Sequence, residues 1–144
     1  MKALRAPGDS AARVQEYLSE TLPSLAIEPV VVTLGLPDDQ WSPKSIPHIG
    51  IFDDGGASQW PVASSPLLRV TVWSNGRTRS RAVAGWVMGV LLARRIPGVA
   101  NVREPSTLLD ARDPKNKGLT ASFTVRTTVR TSALEPPPRW LSRP

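Results

Sequence analysis

Apolar and polar side chains alternate across residues 67–73: Leu68, Val70 and Val72 fall on one face of a strand, Arg69, Thr71 and Trp73 on the other. A Ser74-Asn75-Gly76 turn follows. The period then changes to that of a helix, expected from about Thr78 to Arg95 and stopped before Pro97-Gly98. Val83, Trp86, Val87, Val90 and Leu91 form a wide apolar stripe on this helix, and Ala84, Met88 and Leu92 lie behind it. The pattern predicts a helix covered on both faces, with Val70 and Val72 packed against Trp86, Val87 and Val90.

The same reading places a first helix at residues 9–22, capped by Asp9 or Ser10. Val14, Tyr17, Leu18, Leu22 and Leu25 share its inner face, Arg13, Glu16 and Glu20 lie opposite, and Pro23 ends it. Residues 27–34 are rich in β-branched side chains and read as a strand, 35–47 as a long loop. A short strand at 48–52 runs into Asp53-Asp54-Gly55-Gly56, a turn signal, and 57–66 is expected to be loop. Further strands are expected at 99–109 and 119–131, separated by the polar segment 110–118. In the last strand Phe123, Val125, Thr127 and Val129 share one face and Thr124, Arg126, Thr128 and Arg130 the other.

The resulting order, α-β-β-β-α-β-β, predicts an α+β domain: a mostly antiparallel sheet with two helices packed on one face. The opposite face carries Arg69, Thr71, Trp73, Thr124, Arg126, Thr128 and Arg130, free to sit in water or to meet a partner. Residues 1–133 are expected to form this single domain and 134–144 a Pro-rich tail. Pro136, Pro137 and Pro138 favour an extended polyproline conformation, and Trp140 and Leu141 are costly to leave wet. Docking of the tail is expected, on its own domain or, by preference, on another subunit.

Composition narrows the function. The chain has 144 residues, a formal net charge of +6 and no cysteine. Disulfides and thiolate metal sites are therefore excluded, and folding in a reducing cytosol fits. The N-terminal residues lack an apolar signal core, and the apolar stretch 82–93 is too short to span a bilayer, which takes about 20 residues. His48 is the only histidine, no nucleophile elbow or phosphate loop occurs, and Asp53-Asp54 lacks the spacing of a calcium loop. Neither catalysis nor a cofactor is expected. Gly85 and Gly89 form a Gly-x-x-x-Gly that reads as close approach of the helix to the sheet or to the first helix. Arg77, Arg79 and Arg81 open the second helix, where cations oppose the macrodipole. They point either to acidic groups on a neighbouring chain or to simple solvation. With Arg69, Trp73, Arg126, Arg130, Trp140 and Leu141 they are the candidate interface residues.

The strand Leu68-Arg-Val-Thr-Val-Trp-Ser, the Arg-led, Ala/Gly-rich helix from Arg81 to Ala93, and Asp110-Ala-Arg-Asp-Pro before the Phe/Val/Thr strand from Ala121 to Arg130 resemble tail terminator proteins of long-tailed, siphophage-type actinobacteriophages. The resemblance covers about residues 9–132. It implies a structural virion protein of the neck, made in the host cytoplasm. Such a protein forms a homohexameric ring that caps the tail tube and joins it to the head–tail connector or stopper. The implied partners are further copies of itself, the tail tube protein, the connector or stopper, and DNA passing through the lumen without sequence-specific binding; no membrane is involved. The alternatives are another neck or tail component, such as a head–tail stopper or a tube subunit, or a small basic nucleic-acid-binding module.

Overall fold

A computed structural model describes residues 3–25 and 27–143. Met1, Lys2 and Ala26 lie outside the described residues, as does Pro144, the last residue of the expected tail. The elements are β1 (Arg5–Ala6), α1 (Ser10–Ser24), β2 (Val31–Thr33), β3 (His48–Gln59), β4 (Ala63–Ser74), α2 (Arg77–Ala93), β5 (Asn101–Arg103), β6 (Leu109–Arg112), β7 (Leu119–Arg130) and β8 (Ser132–Ala133). The main sheet runs β2-β3-β4-β7-β5, with β6 also paired to β7. Every pairing is antiparallel except β2 with β3. Both helices cover one face of this sheet, as the pattern of periods predicts.

The core follows from the alternation in the long strands. Leu68, Val70 and Val72 of β4 lie between Ile49 and Ile51 of β3 and Ala121, Phe123 and Val125 of β7, and all are buried. Ala11, Val14, Leu18 and Leu22 of α1 and Val83, Ala84, Val87, Val90 and Leu91 of α2 close over them. Burying each large aliphatic side chain stabilises by roughly 1.5–3 kcal/mol before chain entropy is counted. Hydroxyl groups at the start of each helix meet the sheet beside this apolar layer. Thr127 donates to Ser10 Oγ and lies 3.1 Å from the Pro66 carbonyl, and Ser80 donates to the Leu119 carbonyl at 2.7 Å. These bonds tie the start of each helix to the sheet and remove the cost of burying the hydroxyls.

Local chemistry explains the element ends. Asp9, not Ser10, caps α1 through its carboxylate and the Ala12 amide at 3.0 Å. Pro23 does not end the helix, which runs to Ser24; a proline in the last turn removes only one ladder bond. The Asp53–Gly56 segment is a bulge inside β3 instead of its end. Asp53 accepts the Gly55 amide, Gly55 holds φ +80°, and a Cβ on Gly56 would stand 2.3 Å from the Ser65 carbonyl. The chain turns only at Gln59–Val62, across a cis Trp60–Pro61 bond. Residues 57–66, expected as loop, thus supply the far half of the β3–β4 ladder. Pro66 sits opposite Gly56 at the bulge, where a missing amide is tolerated.

The strand expected at 99–109 is two short strands, β5 and β6, and Asp110 belongs to β6 rather than to the loop. The strand expected at 27–34 shrinks to Val31–Thr33. No helix among the described residues is long and apolar enough to cross a membrane.

Candidate assembly surfaces

The arginines that open α2 find acidic partners within the chain. Arg77 and Arg81 both bind Asp110 of β6, at 2.7 and 2.8 Å, and Arg79 forms a two-bond fork on Glu28 at 2.7 and 2.9 Å. Hydrogen bonding from Arg81, then Arg77, holds the Asp110 carboxyl below its usual range, and Arg79 does the same for Glu28. Asp110 also places negative charge near the helix N-terminus, offsetting the arginines there. The side chains remain well exposed, so these pairs orient the surface more than they stabilise it.

The outer sheet face divides in two. At one end Trp73, expected to be open to a partner, is only 3% exposed. Its indole donates to Asp113 at 3.0 Å, His48 meets it edge-on at 5.6 Å and Phe52 leans on it. For Asp113, burial pushes the carboxyl up, and bonds from the Lys115 amide and the Trp73 indole outweigh that and hold it low. His48 is committed as well: its Nε2 lies 2.9 Å from Thr33 Oγ1 and 3.2 Å from the Gly35 carbonyl, and burial lowers its pKa.

At the other end the face is basic. Arg69 pairs with Asp54 and stacks over Phe52, and Arg126 reaches the Ser65 carbonyl with Glu104 at 3.8 Å. Arg130 is exposed, and Arg103, not singled out by the sequence, joins this face by pairing opposite Arg126. Strand register alone would have placed Arg103 there, but the split of β5 from β6 hid it.

Several apolar surfaces among the described residues remain uncovered. On α2, Trp86 is 54% exposed and shares the outer side with Ala82, Gly85, Gly89 and Ala93, beside a groove of about 500 Å³ edged by Arg81 and Arg94. Trp86 therefore does not pack on Val70 and Val72, and a Cβ on Gly85 or Gly89 would meet nothing within 4 Å. The Gly-x-x-x-Gly faces into this open groove, which Leu25 at the end of α1 also lines, and makes no close approach to the sheet or to α1. The reverse of the expected stripe is likewise revised: Ala84 is buried and Leu92 is exposed. A second groove, also about 500 Å³, lies beside β2 and the 34–47 loop, lined by Val31, Leu36, Trp41, Ile46 and His48, with Asp38. The tail carries Trp140, 84% exposed, and Leu141, 64% exposed. Along the sheet edge, β2 covers only His48–Gly50, so residues 51–59 of β3 have a strand neighbour on one side alone. The bulge and Asp53-Asp54 interrupt that open edge.

The fold has a solved counterpart. A chain from the virion of a native gene transfer agent particle superposes with a TM-score of 0.56 at 14% identity, over 83% of this chain and 93% of that one. At this identity the likeness is one of fold. No protein-family model and no curated protein matches the chain.

Proposed function

We propose that this chain is a non-enzymatic structural virion protein, a tail terminator that forms a hexameric ring on the tail tube and joins it to the head–tail connector or stopper. The observation that carries the reading is the fold shared, nearly end to end, with a chain of a gene transfer agent virion. The uncovered surfaces support it. A ring subunit must present two different patches, because head-to-tail contacts use non-identical surfaces. This chain exposes an apolar helix face, an apolar groove, an open strand edge and a tail bearing Trp140 and Leu141. Arg69, Arg126 and Arg130 form a basic face suited to DNA phosphates in a lumen without reading sequence. Arg77, Arg79 and Arg81, already paired within the chain, offer their remaining exposed edges to a neighbour.

Location and copy number in assembled particles test the reading. A terminator forms one ring between tube and connector. Many copies along the tail would instead make the chain a tube subunit, and a ring on the head side of the terminator position would make it a stopper. Affinity for free DNA that falls steeply with salt, with no place in the particle, would favour the nucleic-acid-binding alternative.

A further inference from the structure

The exposed tail and the groove beside β2 lie at opposite ends of the strands. The groove is lined in part by His48, which pairs with Trp73, itself opposite Thr120 near the start of β7. The tail leaves from the other end, beyond Arg130, where Leu134 donates its amide to the Leu4 carbonyl. The twelve residues of β7 span roughly 36 Å at about 3.3 Å per residue. From Leu134 to Trp140 a polyproline-like chain covers only about 19 Å at roughly 3.1 Å per residue. Trp140 cannot reach the groove of its own chain.

The chemistry of tail and groove matches. Arg139 and Arg143 flank Trp140 and Leu141, so the anchor segment is apolar and basic. The groove on α2 has Arg81 and Arg94 as its ionisable lining residues, which repel such a segment. The β2 groove offers Val31, Leu36 and Ile46, all partly or largely exposed, with the ring of Trp41 behind them and Asp38 as its acidic group. Proline-rich segments commonly dock on aromatic-lined grooves, because their backbone loses little freedom on binding.

We infer that the C-terminal tail of one copy docks in the β2 groove of a second copy, placing Trp140 and Leu141 against Leu36 and Ile46 and the flanking arginines near Asp38. Donor and acceptor are different patches at opposite ends of the subunit, so the contact is head-to-tail and propagates from copy to copy. The inference deepens the ring reading by naming one of its contacts, but it is tested separately.

The test uses the full chain carrying Trp140→Ala and Leu141→Ala as receptor, so that its own tail does not compete. A fluorescently labelled peptide of residues 134–144 is the probe, read by anisotropy. Saturable binding is expected, weakened about tenfold or more by Leu36→Asp and by Asp38→Lys, and unchanged by Gly85→Glu on α2. Leu36 and Asp38 are surface positions, and circular dichroism verifies that each receptor is folded. A peptide with both anchors changed to alanine should not bind. Absence of saturation up to about 1 mM peptide would overturn the inference. So would binding that survives both groove substitutions, or that is lost with Gly85→Glu. Peptide binding without a ring in particles would sink the ring reading alone; a ring without peptide binding would sink the docking alone.

Discussion

On α2, Val83, Ala84, Val87, Val90 and Leu91 are buried against the sheet, while Ala82, Gly85, Trp86, Gly89 and Ala93 face outward. Both faces are apolar, and only one is used for folding. At about 100° per residue, Trp86 stands roughly 100° round the helix from the centre of the buried stripe, at its margin as judged by periodicity. The small residues around it decide its side: they leave no bulk to shield the ring and make a shallow surface a second protein could enter. An apolar position therefore declares that something covers it, without declaring whether the cover lies within the chain or beyond it.

The sharpest way to break this comparison is to put the same charge on each face. Val87→Asp buries an unpaired carboxylate in the core and is expected to cost more than about 4 kcal/mol, abolishing the cooperative melt in circular dichroism. Trp86→Asp should melt within about 1 kcal/mol of the parent and impair incorporation into particles. A Val87→Asp chain that folds, or a Trp86→Asp chain that does not, would reverse the assignment of faces.

A smaller effect is expected where the outer sheet face is sealed. Trp73→Phe keeps an aromatic ring but removes both the donor to Asp113 and part of the buried indole, and should lower stability by about 2 kcal/mol in urea titration. No loss would mean that the Asp113 turn does not hold Trp73.

His48 supplies a pH test of the same region. Burial lowers its folded-state pKa below the unfolded value of about 6.5, so the unfolded chain binds the proton more readily. Its contribution is present above about pH 6.5 and lost as pH falls towards the folded value. His48→Gln should flatten that part of the stability–pH curve, while the loss near pH 4 and below, from Glu28, Asp110 and Asp113, persists. An unchanged curve between pH 5 and 7 would contradict the burial of His48.

The smallest effect is expected at Arg79. Arg79→Ala opens an exposed fork on Glu28 and should shift stability by less than about 1 kcal/mol, screened further by salt. A larger loss would show that the pair fastens α2 to the segment before β2.

The two-helix α+β arrangement was legible because Leu68, Val70 and Val72, and Phe123, Val125 and Val129, alternate cleanly, and both helices carry apolar faces. The length of β3 was not. Asp53-Asp54-Gly55-Gly56 reports a backbone needing φ > 0, and a bulge satisfies that need as well as a turn does. The partners of the α2 arginines were equally hidden, since Glu28 lies 51 residues from Arg79 and Asp110 33 from Arg77. Trp73 looked available from its strand parity; only tertiary packing brings His48 and Asp113 over it. The tail was the one candidate surface visible from composition alone, because three consecutive prolines forbid it from joining the sheet while Trp140 demands cover.

A reconstruction of the neck of assembled particles tests the central claim most directly. One sixfold ring of this chain between the tail tube and the head–tail connector is the predicted result. Density for the chain repeated along the tube, or particles that contain none of it, would contradict the account.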